Sequence, residues 1–147
     1  VLRGKGGVFC AGGDLKMFRD VFQAGMPREE IVAFNAAFGR MMAAIQRLPQ
    51  LFVVVIEGAA MAGGLGIACL ADVVISAADA RFGLSEVTLG IPPAQITPVV
   101  IRRVGASQAR RLLLTAHDGV AGPFETEDPL ANTRYLSLPA TAGRLRR

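Results

Sequence analysis

Two segments of this chain share one pattern, in which an apolar run breaks directly into glycine and alanine. The first reads "VFCAGGD" over residues 8–14, and the second reads "LFVVVIEGAAMAGGLG" over residues 51–66. A turn of this kind between a strand and a helix leaves backbone N–H groups without intrahelical partners, and these groups carry partial positive charge. Glycine and alanine also let another atom approach the backbone closely. The residues alone leave two interpretations open: close packing against the turns, or two N–H groups that bind one oxygen atom.

The size and charge of the chain narrow the class of protein. Its 147 residues suffice for one domain with a sizeable core. A hydrophobic fraction of 52% and a mean hydropathy of +0.42 indicate buried strands, an interface or a membrane segment. A net charge of +4 and a pI near 9.8 would suit nucleic acid or an anionic nucleotide. No aromatic residues are interleaved with the late arginines as a base-stacking surface requires, so we expect no nucleic-acid partner.

A membrane segment and a metal site are both disfavoured by particular residues. Residues 51–71 are long and apolar enough to be considered as a membrane span. Glu57 would be costly in lipid, and glycines interrupt the run, so we expect no membrane segment. Cys10 and Cys69 lie in apolar surroundings, which favours two buried free thiols and a reducing, cytoplasmic compartment. The sequence has no Cys-x-x-Cys pair and no cluster of His with Cys, so no metal site is expected.

Hydrophobic periodicity predicts alternating strands and helices over residues 1–115. The clearest element is an amphipathic helix from Arg28 to Arg47, preceded by Pro27. The valine-rich run Leu51–Ile56 predicts a buried strand, and Gly58–Gly64 predicts a loop that leads into a helix. The other predicted elements are strand 1–10, helix 15–24, helix 64–70, strand 73–76, an extended piece at 81–82, a turn at 84–87, and helices 94–104 and 108–115.

Three motifs occur in the order "GVFCAGGDLKMF", "EGAAMAGGLGIACLADVVIS" and "FGLSEVTLGIPP". Together they resemble the enoyl-CoA hydratase/isomerase (crotonase) superfamily, and the resemblance covers residue 1 to about Thr115. It implies an α/β fold, the ββα spiral of that family, here truncated at the N-terminus and lacking the C-terminal helical region. Residues 116–147 show no strand or helix period and predict an irregular tail. We expect a fragment from a truncated or a frame-shifted gene, and the second of these alternatives would place residues 116–147 out of frame.

The resemblance also implies a site and a substrate. In this family two backbone N–H groups bind the thioester oxygen of an acyl-CoA, and the matching motif positions are Ala11 and Gly63. Glu86 in "FGLSE" would be the proton-transferring carboxylate, because its apolar neighbours favour burial and a raised pKa. The thioester itself is the substrate, so no separate cofactor is expected. The substrate-binding residues that the resemblance implies are Ala11, Gly12, Gly13, Asp14, Gly63 and Gly64.

Position 66 separates the reactions that the resemblance allows. Many hydratases of the family carry a second glutamate there, and this chain has Gly66. Glu86 alone suits a 3,2-enoyl-CoA isomerase, in which one base shuttles a proton between carbons. A glycine at this position also resembles the branch that hydrates methylglutaconyl-type and isohexenylglutaconyl-type CoA esters, in branched-chain or terpenoid acid catabolism. Addition of water to a 2-enoyl-CoA is therefore the function we expect, with an isomerase or an inactive remnant as alternatives. A full-length member would form a homotrimer or hexamer.

Overall fold

The computed structural model describes residues 1–14, 25 and 27–115, together with the backbone of residues 119–120 and 136–138. The elements are, in chain order, β1 (Leu2–Arg3), α1 (Arg28–Gln46), β2 (Val53–Ile56), β3 (Ala59–Met61), α2 (Gly63–Leu70), β4 (Val73–Ala77), β5 (Arg81–Gly83), a 3₁₀ helix (Ser85–Leu89), α3 (Thr97–Thr115), β6 (Gly119–Val120) and β7 (Leu136–Leu138).

The larger sheet of the described residues has the strand order β1-β2-β4-β7, and its three pairings are parallel. β2 lies in the interior of this sheet, and its Val54 and Ile56 side chains are fully buried. Interior parallel strands carry apolar runs without polar alternation, which is what the valine-rich sequence of β2 predicted.

A second, smaller sheet contains the second strand of each repeated strand–strand–helix unit. β5 lies at its centre, parallel to β3 and antiparallel to β6. β3 follows β2 directly across Glu57 and Gly58, and β5 follows β4 in the same way. The second pair of strands stacks on the first, and a helical segment follows each pair: α2 after β3, and the 3₁₀ helix after β5. This repeated strand–strand–helix unit confirms the predicted α/β class and ββα spiral.

Two predictions about strands were wrong. Residues 58–64 were expected to form a loop, but they contain β3, an Ala-Ala-Met segment with weak strand propensity. Its pairing comes from tertiary register, because Ala60 lies opposite Phe82 in β5 and also forms a bridge with Cys10. The predicted strand over residues 1–10 is only two residues long. Gly6 and Gly7, with φ of 80° and 77°, turn the backbone out of the extended conformation.

The helical predictions agree more closely. α1 covers residues 28–46 and α2 covers residues 63–70, each within one residue of its predicted bounds. The predicted helix 94–104 begins later, at Thr97, and the predicted break at Gly105 appears as a residue with φ 76° and ψ 162° inside α3. The predicted turn at 84–87 is part of the 3₁₀ helix. The predicted helix over residues 15–24 lies outside the described residues.

Short strands within the C-terminal residues depart from the expected irregular tail. β6 pairs with β5, and β7 pairs in parallel with β4, with Leu136 opposite Ile75. A segment of two or three residues pairs through backbone groups and leaves too short a pattern for a strand period to be recognised in the sequence. The other residues of 116–147 lie outside the described part of the chain.

One apolar core joins the sheets to the helices. Its fully or nearly fully buried side chains include Val54, Ile56, Ala60, Leu84, Ile96, Val100, Ala109 and Leu112. Residues 51–71, considered above as a membrane span, form β2, β3 and α2 instead. Among the helices that the structure describes, none combines the length and the apolar character needed to cross a bilayer.

Candidate active site

The two glycine- and alanine-rich turns lie in contact with each other. The Cys10 N–H donates to the Ala59 carbonyl at 3.0 Å, and the Met61 N–H donates to the Cys10 carbonyl at 2.9 Å. A Cβ added at Gly64 would lie 2.6 Å from the Cys10 carbonyl oxygen, and one added at Gly12 would lie 2.9 Å from the Ala62 Cβ. Distances this short exclude any larger side chain, so Gly12 and Gly64 permit the close approach of the two turns.

The backbone between these contacts carries the two predicted donors. Ala11 lies between Cys10 and Gly12, and Gly63 is the first residue of α2. The first residue of an α-helix has no intrahelical acceptor for its N–H. Among the described residues no backbone acceptor is found for the Ala11 N–H either. The two N–H groups thus lie on touching turns, one of them at the positive end of a helix, and N–H groups at such an end attract anions in general.

Ala62, which precedes α2, has an unusual backbone conformation. Its φ of 51° and ψ of −123° lie in a region that alanine rarely adopts. The strain is held by its surroundings, because the Ala62 N–H donates to the Gly83 carbonyl at 2.8 Å. Strained residues of this kind cluster at functional sites, where the surrounding structure compensates for them. The conformation of Ala62 sets how β3 passes into α2.

Glu86 lies in the 3₁₀ helix that follows β5. Because the Gly83 carbonyl accepts the Ala62 N–H, the end of β5 lies beside the start of α2, and Glu86 follows three residues later. The Glu86 side chain is half-buried. Its Oε2 atom is fully buried and has no hydrogen-bond partner among the described residues. Burial raises the pKa of Glu86 above its ordinary value, and a hydrogen bond from its own backbone N–H acts in the opposite direction. A half-buried carboxyl group with a raised pKa is suited to general acid–base catalysis.

The other residues that the sequence singled out have clear positions. Gly12 is half-buried between the turns, whereas Gly13 and Asp14 are exposed beside it. Glu57 pairs with Arg3, with an Oε2–Nη2 distance of 2.7 Å, and so links the end of β2 to β1. Glu57 therefore has a structural role at the end of β2. Both cysteines of the chain are free thiols.

Position 66, where a second carboxylate was sought, is packed by another side chain. A Cβ added at Gly66 would overlap the Ile96 Cγ2 atom and lie 2.9 Å from the Ile96 Cβ. A Cβ added at Gly63 would lie 3.2 Å from the ring of Phe38 in α1. Neither apolar residue could be assigned to this place from the sequence. The helical spacing of α1 indicates that Phe38 is buried but not against which residue, and no local pattern links Ile96 to α2.

The structure has an apolar groove of about 570 Å³, and the first of its lining residues is Val87, which follows Glu86 in the sequence. Val87 of the 3₁₀ helix and Leu113 of α3 both line this groove. The bend between the 3₁₀ helix and α3 supplies the rest, through Gly90, Ile91, Pro92, Pro93, Ala94 and Thr97. A groove with this lining can take an apolar group of moderate size.

Comparison with known proteins agrees with this architecture. The sequence model of the enoyl-CoA hydratase/isomerase family matches residues 1–122. Enoyl-CoA hydratase AFT6-1 of Alternaria alternata is 39% identical over 118 residues, which cover 79% of this chain and 36% of that protein. The mitochondrial methylglutaconyl-CoA hydratase of Homo sapiens is 34% identical over 111 residues, which cover 75% of this chain and 31% of that protein.

A solved structure shows the same relation. The structure of Pseudomonas aeruginosa AtuE is 51% identical and superposes with a TM-score of 0.74, covering 80% of this chain and 45% of that one. The chain thus spans between about a third and less than half of the length of these relatives.

Proposed function

This chain belongs to the enoyl-CoA hydratase/isomerase family, and from that premise we propose that it carries the oxyanion hole and the proton-transferring carboxylate of an acyl-CoA enzyme. The backbone N–H groups of Ala11 and Gly63 bind the thioester oxygen, and Glu86 moves the protons. The observation that supports the proposal is the contact between the two turns that carry Ala11 and Gly63, beside the start of α2.

The reaction we propose is the addition of water to a 2-enoyl-CoA. Attack of the water oxygen on C3 places negative charge on the thioester oxygen as an enolate. Preorganised N–H donors stabilise this charge, and loss of one such donor costs about 3–4 kcal/mol in comparable sites. Glu86 takes the proton from the water and returns a proton to C2, which completes the hydrated product. Burial raises the pKa of Glu86, which makes it a stronger base than an exposed glutamate and so favours the proton-accepting step.

Isomerisation of a 3-enoyl-CoA to a 2-enoyl-CoA is the second candidate, and the packing at position 66 favours it. Position 66 is glycine and so supplies no second carboxylate to assist Glu86, and Ile96 fills the space beside it. One carboxylate is sufficient for isomerisation, since the proton removed from C2 is the one delivered to C4. Hydration by a single carboxylate demands more, because the same group must handle the attacking water and the proton for C2.

The substrate we propose is a branched, methylglutaconyl-type or isohexenylglutaconyl-type CoA ester. The similarity to a methylglutaconyl-CoA hydratase supports this class, and the apolar groove beside the 3₁₀ helix offers room for an acyl branch. We further propose that the natural protein assembles as a homotrimer or hexamer, as the family resemblance implies.

The proposal is tested on the natural protein that carries this chain. Purified protein is incubated with 3-methylglutaconyl-CoA and, separately, with an unbranched 3-enoyl-CoA. The products are separated by liquid chromatography, and their masses are measured by mass spectrometry. Hydration adds one water to the mass, whereas isomerisation leaves the mass unchanged and moves the double bond. Hydrated product from the branched ester is expected. Isomerised product alone would favour the second candidate, and acyl-CoA binding without turnover would indicate an inactive remnant.

A further inference from the structure

Two glycines leave one face of α2 without side chains, and apolar side chains from other elements cover that face. Gly63 and Gly66 are one turn apart and lie on the same face of α2. Phe38 of α1 covers Gly63, and Ile96, in the segment before α3, covers Gly66. The face that begins with the proposed oxyanion donor is therefore closed by side chains from two other elements.

The contact between Ile96 and Gly66 is tighter than the contact at Gly63. A Cβ at position 66 would overlap the Ile96 Cγ2 atom, whereas a Cβ at position 63 would approach only the far edge of the Phe38 ring. Phe38 is a flexible side chain that can move by a few tenths of an ångström. Ile96 is β-branched and 3% exposed, so it has little room to change rotamer.

The backbone around Ile96 is also held in place. The Ile96 N–H donates to the Pro93 carbonyl at 3.2 Å, and the Ile96 carbonyl accepts the Val100 N–H at 2.9 Å at the start of α3. The neighbouring Gln95 side chain donates through Nε2 to the Asn35 carbonyl in α1 at 2.7 Å. These bonds anchor the segment to two helices, so Ile96 cannot withdraw from α2 at low cost.

We propose that Ile96 and Gly66 form a coupled specificity-determining pair, in which Ile96 occupies the space of a side chain at position 66 and so restricts proton transfer to Glu86. This inference rests on the proposed function. It assigns Ile96 a role that no pattern in the sequence indicates. It also states why position 66 cannot gain a functional side chain by a single substitution: the space must first be vacated at position 96.

A stability cycle tests the packing part of the proposal in the natural protein. Gly66→Ala is measured by thermal unfolding in two backgrounds, the unmodified protein and the Ile96→Gly variant. In the unmodified protein the new methyl group meets Ile96, and Tm is expected to fall by at least about 4 °C. In the Ile96→Gly background the same substitution fills vacated space and improves helix propensity, so Tm is expected to rise. An equal fall in both backgrounds would overturn the proposed coupling.

Gly39→Ala is the matched control for this cycle. Gly39 is also a helical glycine, but a Cβ there would meet only the Gln95 side chain, at an ordinary 3.8 Å. Gly39→Ala is expected to change Tm in the same direction in both backgrounds. If the change in Tm on Gly39→Ala also reversed its sign between the two backgrounds, Ile96→Gly would loosen the packing in general. That result would overturn the specific pairing of Ile96 with Gly66.

An activity measurement tests the specificity part. A Gly66→Glu/Ile96→Gly double variant supplies a second carboxylate, so one group can activate water while the other delivers the proton to C2. The ratio of hydration to isomerisation, each as kcat/KM, is expected to rise at least tenfold over Ile96→Gly alone. An unchanged ratio in a folded double variant would overturn the specificity role. An unmodified protein without acyl-CoA turnover would overturn the proposed function, whereas the stability cycle would still decide the packing.

Discussion

Gly12 and Gly64 show how a small residue can be required by a neighbour that is distant in the sequence. Each lies where a single added carbon would meet backbone or Cβ atoms of the opposite turn at less than 3.0 Å. The sequence left close packing and oxyanion binding as equal interpretations, and the two are compatible. Close packing of the turns is what brings Ala11 near Gly63, and the oxyanion hole that we propose depends on it.

Glu86→Gln is the first residue-scale prediction. Glutamine keeps the shape of the side chain but cannot exchange a proton, so kcat should fall at least about a hundredfold. Stability at neutral pH should be retained or increased, because the raised pKa of Glu86 means that burial disfavours its charged form. Because the pKa of Glu86 is higher in the folded protein than in the unfolded chain, its contribution to the free energy of unfolding is full below the unfolded pKa. That contribution is lost as pH rises through the folded pKa.

Steady-state kinetics with the branched enoyl-CoA measures this effect. Glu30→Gln, at an exposed carboxylate in the first turn of α1, is the matched control and should leave kcat unchanged. A change in kcat below about threefold for Glu86→Gln would assign proton transfer to another group.

Gly63→Pro is the second residue-scale prediction. Proline lacks the N–H that Gly63 is proposed to donate, and proline is well tolerated at the first position of a helix. Turnover should therefore collapse. Circular dichroism must show that the variant is folded, because a proline disfavours the backbone conformation of the preceding Ala62. Gly63→Ala is the matched control, because it adds the same Cβ beside Phe38 but keeps the N–H. Equal turnover in the folded proline and alanine variants would contradict the oxyanion assignment.

A partly buried arginine lies where helix α3 packs beyond the end of helix α2. Arg103 of α3 donates through Nη1 to the Ala71 carbonyl at 2.8 Å, beyond the C-terminal end of α2. Its Nε and Nη2 atoms are buried and have no acceptor among the described residues. Beside it, burial raises the pKa of Cys69 to about 12, and the positive charge of Arg103 lowers it in part. The thiol therefore stays protonated at neutral pH.

Arg103→Met is the element-scale prediction. The substitution loses one hydrogen bond but also removes two buried donors, each of which costs about 1–3 kcal/mol when unsatisfied. Methionine can also fill the cavity of about 20 Å³ that Arg103 lines with Leu65 and Val100. The free energy of unfolding in urea should rise by about 1 kcal/mol. The exposed neighbour Arg102→Met is the control, expected to change stability by less than about 0.5 kcal/mol. A loss above about 2 kcal/mol at position 103 would show that the guanidinium is paired.

At the scale of the whole molecule, the described part of the chain leaves apolar surface exposed. β1 has β2 as its neighbour and otherwise forms the edge of the larger sheet. From the sequence one would expect the strand at Leu51–Ile56 to lack a neighbour as well, because the family's preceding strands are missing. That expectation is wrong, since β2 lies between β1 and β4. Val1, Val8 and Leu51 are 91%, 43% and 68% exposed. Exposed edge strands with apolar side chains favour aggregation.

The whole-molecule prediction is that residues 1–147, expressed alone, are insoluble or molten and bind acyl-CoA weakly if at all. Net stability of a domain is only about 5–15 kcal/mol. At about 25 cal/mol per Å², a few hundred Å² of apolar surface left uncovered is comparable to it. Light scattering, calorimetry and an acyl-CoA titration measure the three properties. A soluble protein with a sharp cooperative melt and micromolar affinity would instead show that the core over residues 1–115 is self-sufficient.

The sequence by itself determined the elements whose information is local. The 3.6-residue period of α1, the valine run of β2 and the glycine at the break in α3 each reflect contacts within a few residues. The order of the three motifs likewise identified the family and the ββα spiral.

Only the tertiary structure decided the pairing of β3 and the packing of position 66 by Ile96. It also decided that the buried Glu86 Oε2 atom, whose burial the apolar neighbours predicted, has no hydrogen-bond partner in the described chain. These features arise where segments far apart in the chain meet, and a hydrophobic period records that a residue is buried but not what it is buried against. For that reason the glycines at 12, 64 and 66 are visible in the sequence, whereas their neighbours are visible only in the fold.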